Sequence, residues 1–135
     1  MPKVFIASDH AGFELKQELV PYIGTLGGYD PCDIGAFELD PDDDYPTYIL
    51  PCARRVAGEP GSLGIVLGAS GQGEAMAANR IEGIRCAVFY GAPRGTQTDA
   101  GGNELDLVAS VRAHNDANML SLGARFITLD EARAA

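Results

Sequence analysis

The sequence predicts an α/β fold in which helices cover both faces of a five-stranded parallel sheet. Short strand-like segments recur five times, the second of them weaker, and segments with apolar residues at helical spacing separate them. The length of 135 residues suits one domain, which we expect to span residues 1–135. The run at residues 63–67 is bounded by glycine and is typical of a strand buried on both faces.

The elements follow one another in alternation. The predicted strands are residues 3–8, 29–34, 63–67, 85–90 and a stretch within 119–127. The predicted helices are residues 13–26, with a kink at Pro21, and residues 47–56, 74–79 and 105–112. Pro31 lacks a backbone donor, so the second strand is expected near an edge of the sheet. A capping box of Thr128 and Glu131 starts a last helix, which is too short to be stable alone, so we expect a truncated C-terminal helix.

This alternation determines where a ligand is expected. Strands that alternate with helices require right-handed crossovers, which give a three-layer, doubly wound sheet of the Rossmann or flavodoxin-like type. Ligands of such sheets bind beyond the carboxyl ends of the strands. The loops at residues 8–12, 68–74 and 91–103 are therefore the candidates for a functional site.

Composition and charge exclude several classes of function. The chain has 10 Lys and Arg against 19 Asp and Glu, and its net charge of −9 repels nucleic acids and anionic membranes. Its longest apolar run is far shorter than the ~20 residues of a membrane span. Three cysteines without paired spacing indicate reduced thiols, so we expect a cytoplasmic protein. The acidic run of Asp40, Asp42, Asp43 and Asp44 predicts a solvated loop rather than a metal site.

The glycine-rich loop at residues 68–74 carries the clearest chemical signal. It follows a buried strand and opens a helix, so backbone donors converge on one point and favour an anion. Both nucleotide-binding motifs fail, because Glu74 replaces the phosphate-binding lysine and Met76 replaces the third glycine. Two interpretations stay open. In the first, the backbone N–H groups of residues 71–73 and the Ser70 hydroxyl hold a transient oxyanion of a substrate, and Glu74 beside them acts as the base. In the second, the glycines only make a tight turn, and the negative charge of Glu74 stabilises the positive end of the helix dipole.

Several motifs occur in a fixed order along nearly the whole chain. They are V-F-I-A-S-D-H-A-G-F-E-L-K at residues 4–16, D-Y-P at 44–46, G-x-S-G-x-G-E-x-x-A-A-N at 68–79, G-I-R-C-A at 83–87 and H-N-D-A-N at 114–118. Together they resemble the family of type B ribose-5-phosphate isomerases and galactose-6-phosphate isomerases. The resemblance implies an aldose-ketose isomerase without metal or cofactor, which passes a proton between C1 and C2 of a phosphorylated sugar through a cis-enediolate.

The resemblance also implies roles for individual residues. One subgroup of the family uses a cysteine base where this chain has Gly68, and the other uses a glutamate where it has Glu74. The chain therefore resembles the glutamate-base subgroup, with Cys86 left as a core residue. The implied catalytic residues are Glu74, His114 as the ring-opening acid, and Ser70. The implied substrate-binding residues are Asp9, His10, Tyr45, Gly71, Gln72, Gly73, Asn115 and Arg125.

Without the resemblance, these residues have plainer interpretations. Asp9 alone predicts a helix cap, His114 a structural histidine, and Arg125 a surface salt bridge. The resemblance further implies a homodimer, with a tetramer as the alternative, whose active site lies at the interface.

Three departures from the family pattern leave the substrate open. Ala69 stands where glycine is common, the connection at residues 91–103 is long and is expected beside the site, and the family's C-terminal helix with its phosphate-binding arginines is missing. Ribose 5-phosphate and ribulose 5-phosphate are the predicted pair. Galactose 6-phosphate with tagatose 6-phosphate, or a tetrose phosphate, are the alternative substrates, and a non-catalytic sugar-phosphate-binding subunit is the alternative of another class.

Overall fold

The protein alternates strands and helices along its whole length. The structure is a computed structural model that describes residues 1–92 and 95–135. The strands are β1 (Lys3–Ser8), β2 (Asp30–Gly35), β3 (Leu63–Gly68), β4 (Cys86–Phe89) and β5 (Met119–Gly123). The helices are α1 (Phe13–Thr25), α2 (Pro46–Gly58), α3 (Gln72–Ala78), α4 (Leu107–Asn115) and α5 (Leu129–Ala134). The predicted α/β fold class is confirmed.

The five strands form one parallel sheet in the order β2-β1-β3-β5-β4. The strand that contains Pro31 lies at an edge, as its missing backbone donor predicts. The chain leaves β1 toward β2 but leaves β3 in the opposite direction, toward β4. A crevice for a ligand is therefore expected outside the carboxyl ends of β1 and β3, where the winding changes direction.

Each face of the sheet is covered by its own apolar cluster. On one face, α2 and α3 contribute to and cover a cluster that includes Phe5, Ile49 and Val66. On the other face, α1 and α5 cover a cluster that includes Ile6 and Leu122. Alternate residues of β1 serve the two faces, as the pleat of a strand requires. No helix among the described residues combines the length and apolar character needed to cross a bilayer.

The last two helices differ in how well the sequence predicted them. The helix expected at residues 105–112 in fact spans residues 107–115. Asp106 caps its start by accepting from the N–H groups of Val108 and Ala109, and Asp116, with a φ of 51°, ends it. The capping box of Thr128 and Glu131 is present as predicted at the start of α5.

Candidate active site

The loop after β1 begins the candidate site at the carboxyl edge of the sheet. Asp9 is 7% exposed, and its Oδ1 accepts a hydrogen bond from the N–H of Ala11 at 2.9 Å. This is the cap that Asp9 alone predicts. Gly12 follows, and a Cβ there would lie 2.5 Å from the Cβ of Leu67 and 2.9 Å from its backbone. The absence of a side chain at Gly12 therefore lets this loop rest on the end of β3.

The glycine-rich loop connects β3 to α3 through a left-handed turn. Gly71 has a φ of +79°, and its carbonyl oxygen accepts a hydrogen bond of 2.6 Å from the Ser121 hydroxyl. The Ser70 hydroxyl oxygen accepts from the N–H of Gln72 at 3.2 Å, which leaves the hydroxyl proton free to donate elsewhere. The first-turn N–H groups of α3 lack acceptors within the helix, so this end of α3 favours an anion.

Glu74 lies in the first turn of α3 and is folded back onto β3. It is 5% exposed, and a Cβ built on Gly68 would overlap its carboxylate. Burial raises the pKa of the Glu74 carboxyl, its own backbone N–H lowers it, and the negative charge of Asp9 raises it further, with a net upward shift. A carboxyl with a raised pKa is better matched to accepting and returning a proton near neutral pH.

The acidic loop before α2 covers this pair of loops, and one of its residues departs from the sequence prediction. Asp40, Asp42 and Asp44 are exposed, as expected for a solvated run. The side chain of Asp43 is instead only 5% exposed. Its Oδ1 accepts a hydrogen bond of 3.0 Å from the backbone N–H of His10. The same oxygen lies 2.8 Å from His10 Nδ1. The prediction of a solvated loop was therefore wrong for Asp43.

Tyr45 closes the same side of the site. Its ring lies against Gly73, where an added Cβ would come within 3.1 Å of the Tyr45 Cζ and 3.2 Å of its hydroxyl oxygen. Glycine at this position allows the ring to approach the first turn of α3. Tyr45 therefore lines the crevice next to the turn that carries Glu74.

Arg125 reaches the site from the loop after β5. The N–H of Ala124 donates to the carbonyl of Gly68 at 2.8 Å, and the N–H of Arg125 donates to the carbonyl of Ala69 at 3.0 Å. These bonds hold the exposed Arg125 beside the glycine-rich loop. The pKa of His10 is raised, mainly by its hydrogen bond to Asp43, although the Arg125 charge lowers it. The crevice thus brings the cationic side chains of His10 and Arg125 near the acidic side chains of Asp9 and Glu74.

The structure does not bring His114 and Asn115 to this crevice within one chain. They lie in the last turn of α4, before β5 begins, and line a shallow cavity of about 500 Å³ with Asn79 and Arg85. The Asn115 carbonyl accepts a hydrogen bond of 3.2 Å from the Arg85 guanidinium. This cavity lies at the amino edge of the parallel sheet, opposite the edge that carries Glu74.

The long connection after β4 packs toward α5 in the part that the structure describes. Positions 93 and 94 lie outside the described residues. The N–H of Ala92 donates to the Glu131 carboxylate at 3.4 Å, and Asp99 accepts from the N–H groups of Gly101 and Asn103 at 2.9 and 2.8 Å. Thr98 and Glu104 form an antiparallel bridge. These contacts shape the connection as a small hairpin beside α5.

One cluster of possible metal ligands and two thiols with a raised pKa lie among the described residues. Asp9, His10 and Asp43 offer ligand atoms that all lie within 4.8 Å of one another. The 2.8 Å separation between His10 Nδ1 and Asp43 Oδ1 is that of a hydrogen bond, so the group is accounted for as a polar network. Burial raises the pKa of the thiols of Cys52 and Cys86 to about 12, which leaves them protonated and weakly nucleophilic at neutral pH.

Comparison with known proteins agrees with this geometry. The sequence profile described as Ribose/Galactose Isomerase matches residues 4–135. The ribose-5-phosphate isomerase B of Mycolicibacterium paratuberculosis is 41% identical over 132 residues, which cover 98% of this chain and 74% of that protein. The probable ribose-5-phosphate isomerase B of Mycoplasma pneumoniae is 36% identical over 128 residues, covering 95% of this chain and 75% of that one.

Solved structures show the same similarity in three dimensions. The ribose-5-phosphate isomerase B of Mycoplasma genitalium, solved with bound ribulose-5-phosphate, superposes with a TM-score of 0.81 at 31% identity, covering 97% of this chain and 78% of that one. The enzyme of Clostridium thermocellum gives a TM-score of 0.78 at 35% identity, covering 96% and 78%. With the profile matched from residue 4 to residue 135, the chain belongs to the ribose/galactose isomerase family.

Proposed function

We propose that this chain is an aldose-ketose isomerase of phosphorylated sugars, with ribose 5-phosphate and ribulose 5-phosphate as its substrate pair. The observation that carries the proposal is the buried carboxylate of Glu74, which lies over Gly68 beside the N-terminus of α3. A base next to convergent donors suits a reaction in which proton removal creates an oxyanion. The family membership and the ribulose-5-phosphate bound to the related Mycoplasma genitalium protein support the choice of substrate.

The proposed chemistry is a proton transfer between adjacent carbons. The ionised Glu74 removes the proton from C2 of the open-chain aldose, and the electrons of that bond form the cis-enediolate. The backbone N–H groups of residues 71–73 and the Ser70 hydroxyl hold the developing oxyanion. Glu74 then returns the proton to C1 while the hydroxyl proton moves from O2 to O1, which gives the ketose.

The glutamate, rather than a cysteine, is proposed as the base. The cysteine of the other subgroup would stand at the position of Gly68, and that space is occupied here by the Glu74 carboxylate. The two bases therefore exclude one another sterically. Cys52, on α2, belongs to the apolar core and Cys86, on β4, packs against it, and burial raises the pKa of both thiols.

The part of the crevice near His10 and Arg125 is proposed to hold the phosphate. His10 and Arg125 are close enough that the Arg125 charge lowers the pKa of His10, and both can donate hydrogen bonds to an anion. The charge of Asp9 acts on both His10 and Glu74, so Asp9 is near both, and its carboxylate suits sugar hydroxyls. Tyr45, packed on Gly73, is proposed as the wall of the pocket.

His114 and Asn115 are proposed to reach the crevice from a second copy of the chain. Within one chain they lie at the amino edge of the sheet, away from Glu74. We propose a homodimer, with a tetramer as the alternative. Large apolar side chains exposed on the chain support an interface, and they include Phe37, Met76, Tyr90 and Phe126.

A shared site makes a testable prediction about His114. His114→Ala should slow the reaction of the cyclic sugar more than that of the open-chain form, because only the cyclic form needs a proton delivered to the ring oxygen. Mixing His114→Ala with Glu74→Gln subunits should restore up to about a quarter of wild-type turnover, since half of the dimers are mixed and each holds one complete site. Kinetics after subunit exchange measure this recovery. No recovery in mixed dimers, whose formation is verified by mass spectrometry, would contradict the shared site.

Substrate and activity can be tested together. The protein is incubated with pentose, hexose and tetrose phosphates in deuterated water, and aldose-ketose interconversion is followed by NMR. Fast interconversion of ribose 5-phosphate, with deuterium incorporated at the exchanging carbon, supports the proposed function. Preference for a hexose or tetrose phosphate would identify an alternative substrate. Binding of sugar phosphates without interconversion would identify a non-catalytic subunit.

We predict that turnover depends on neither metal nor thiol. EDTA should leave the rate nearly unchanged, because the proton transfer needs only side chains and backbone donors. Alkylating reagents should also leave it nearly unchanged, because burial keeps Cys52 and Cys86 protonated and the partly exposed Cys32 lies within the edge strand β2, not in the glycine-rich loop. The rate is measured before and after treatment, with circular dichroism as the control for folding. Loss of activity on alkylation of Cys86 in a folded protein would contradict the glutamate as base.

A further inference from the structure

The carboxylate of Asp43 is placed unlike those of the other acidic residues in its loop. Its side chain is 5% exposed, whereas Asp40, Asp42 and Asp44 are exposed to solvent. Only one of its oxygens is bonded among the described residues, since the buried Oδ2 has no hydrogen-bond partner there. A buried carboxylate with an unsatisfied oxygen costs stability, so its position is explained poorly by folding alone.

The bonded oxygen contacts both the backbone and the ring of His10. Asp43 Oδ1 accepts from the His10 backbone N–H at 3.0 Å and lies 2.8 Å from the ring Nδ1. An ionised carboxylate can only accept, so Nδ1 must carry a proton in this contact. The ring orientation and the tautomer of His10 are thereby set by Asp43, and Nε2 is left as the second position of the ring that can carry a proton.

We propose that Asp43 is a positioning residue that holds His10 as a cation for the phosphate of the substrate, a role that rests on the proposed function of the crevice. The carboxylates of Asp9 and Glu74 lie in the same crevice and repel a phosphate dianion. Arg125 supplies one positive charge, and a charged His10 supplies a second next to it. A neutral His10 with its proton on Nδ1 would instead present the lone pair of Nε2.

The groups around His10 determine how this cation depends on pH. The hydrogen bond to Asp43 raises the pKa of His10 most, and the charges of Asp9 and Asp43 raise it further. Partial burial and the charge of Arg125 lower it, and the net direction is upward. Because the raised pKa keeps the ring protonated to higher pH, anion binding should persist above the ordinary imidazole range and weaken as the pH rises through the raised value.

Asp43→Asn tests this role, with Asp42→Asn as the matched control. The control removes the same charge from an exposed position of the same loop. Inorganic sulfate is the probe, because its charge does not change across the pH range used. At about pH 7 we expect Asp43→Asn to weaken sulfate binding by roughly tenfold or more, which is the scale of a lost hydrogen bond to a charged group. At about pH 5.5 the two proteins should bind sulfate equally well, because His10 is then charged in both. Asp42→Asn should bind sulfate as the wild type does at both pH values.

A direct titration of His10 provides the second readout. The chain has two histidines, so the imidazole signals in NMR can be assigned with the single variant His10→Gln. The pKa of His10 should fall in Asp43→Asn and stay at its wild-type value in Asp42→Asn. For ribose 5-phosphate, Asp43→Asn should raise KM more than it lowers kcat, because Asp43 acts on phosphate binding through His10.

Several outcomes would overturn the role of Asp43. The first is that the pKa of His10 is the same in Asp43→Asn as in the wild type. The second is that Asp43→Asn loses the same sulfate affinity at both pH values. If Asp43→Asn does not fold, His10→Gln decides. It should reduce the pH dependence of sulfate binding to the part that Glu74 contributes, and retention of the full wild-type dependence would contradict the proposal. Failure to interconvert any sugar phosphate would count against the proposed function, while the sulfate and NMR measurements still decide the role of Asp43.

Discussion

Glu74→Gln should remove most of the turnover while leaving substrate binding intact. Glutamine keeps the shape of the side chain and can still form hydrogen bonds, but it cannot accept the C2 proton. Loss of general-base catalysis should lower kcat by ~100 to 10,000-fold, or roughly 3 to 5 kcal/mol of transition-state stabilisation. Steady-state kinetics and exchange of the substrate C2 proton with deuterated water measure the effect.

Two variants serve as comparisons for Glu74→Gln. Glu82→Gln neutralises an exposed carboxylate near the other end of α3 and should leave turnover unchanged. Ser70→Ala should cost less than Glu74→Gln, because the backbone donors of residues 71–73 remain in place. If Glu74→Gln exchanges the C2 proton at the wild-type rate, Glu74 is only a charge at a helix N-terminus and the catalytic assignment is wrong.

The raised pKa of Glu74 should affect the pH dependence of both the activity and the free energy of unfolding. The base must be ionised, so kcat/KM should fall as the pH drops through the pKa of Glu74, which burial places above that of an ordinary carboxyl. A raised folded-state pKa means that the protonated form favours folding at low pH and that this contribution is lost as the pH rises through the raised value. At neutral pH the neutral Glu74→Gln should therefore be at least as stable as the wild type in urea unfolding.

Most of the fold was predictable because buried strands and helices require apolar residues at a regular spacing, which is visible in the sequence. The strand at residues 3–8 was predicted with its observed bounds, since its apolar run ends abruptly at Asp9. Pro31 correctly indicated an edge strand. The end of α4 was predicted three residues too early, because polar residues of an exposed helix carry no apolar periodicity and only the left-handed Asp116 marks its end.

The candidate site was less predictable, because its contacts join residues far apart in sequence. Asp43 was grouped with its acidic neighbours, and its partner His10 lies 33 positions away, so no local pattern distinguished it. The position of His114 could have been inferred from topology. Residues that directly precede a parallel strand lie at the amino edge of the sheet, so the His114 and Asn115 pair cannot meet Glu74 within one chain.

The place of Gly68 could be understood only in three dimensions. The sequence marks it as the position of the other subgroup's cysteine, but only the structure shows that its missing side chain provides the room that the Glu74 carboxylate fills. Gly68→Ala should therefore displace the carboxylate and lower kcat by about 100-fold, the scale expected when a catalytic group is misplaced by about an ångström. Gly58→Ala is the matched control, because an added Cβ there meets no atom within 4 Å and turnover should be unchanged.

The effect of Gly68→Ala should act through Glu74 alone. In the double variant with Glu74→Gln, the alanine should add little further loss, because the two substitutions remove the same contribution and their effects are then strongly non-additive. The acidic limb of the pH profile should also move to lower pH in Gly68→Ala, since a carboxylate pushed toward solvent loses the burial that raises its pKa. A Gly68→Ala enzyme with wild-type turnover and pH profile would show that Glu74 does not act from its position over β3.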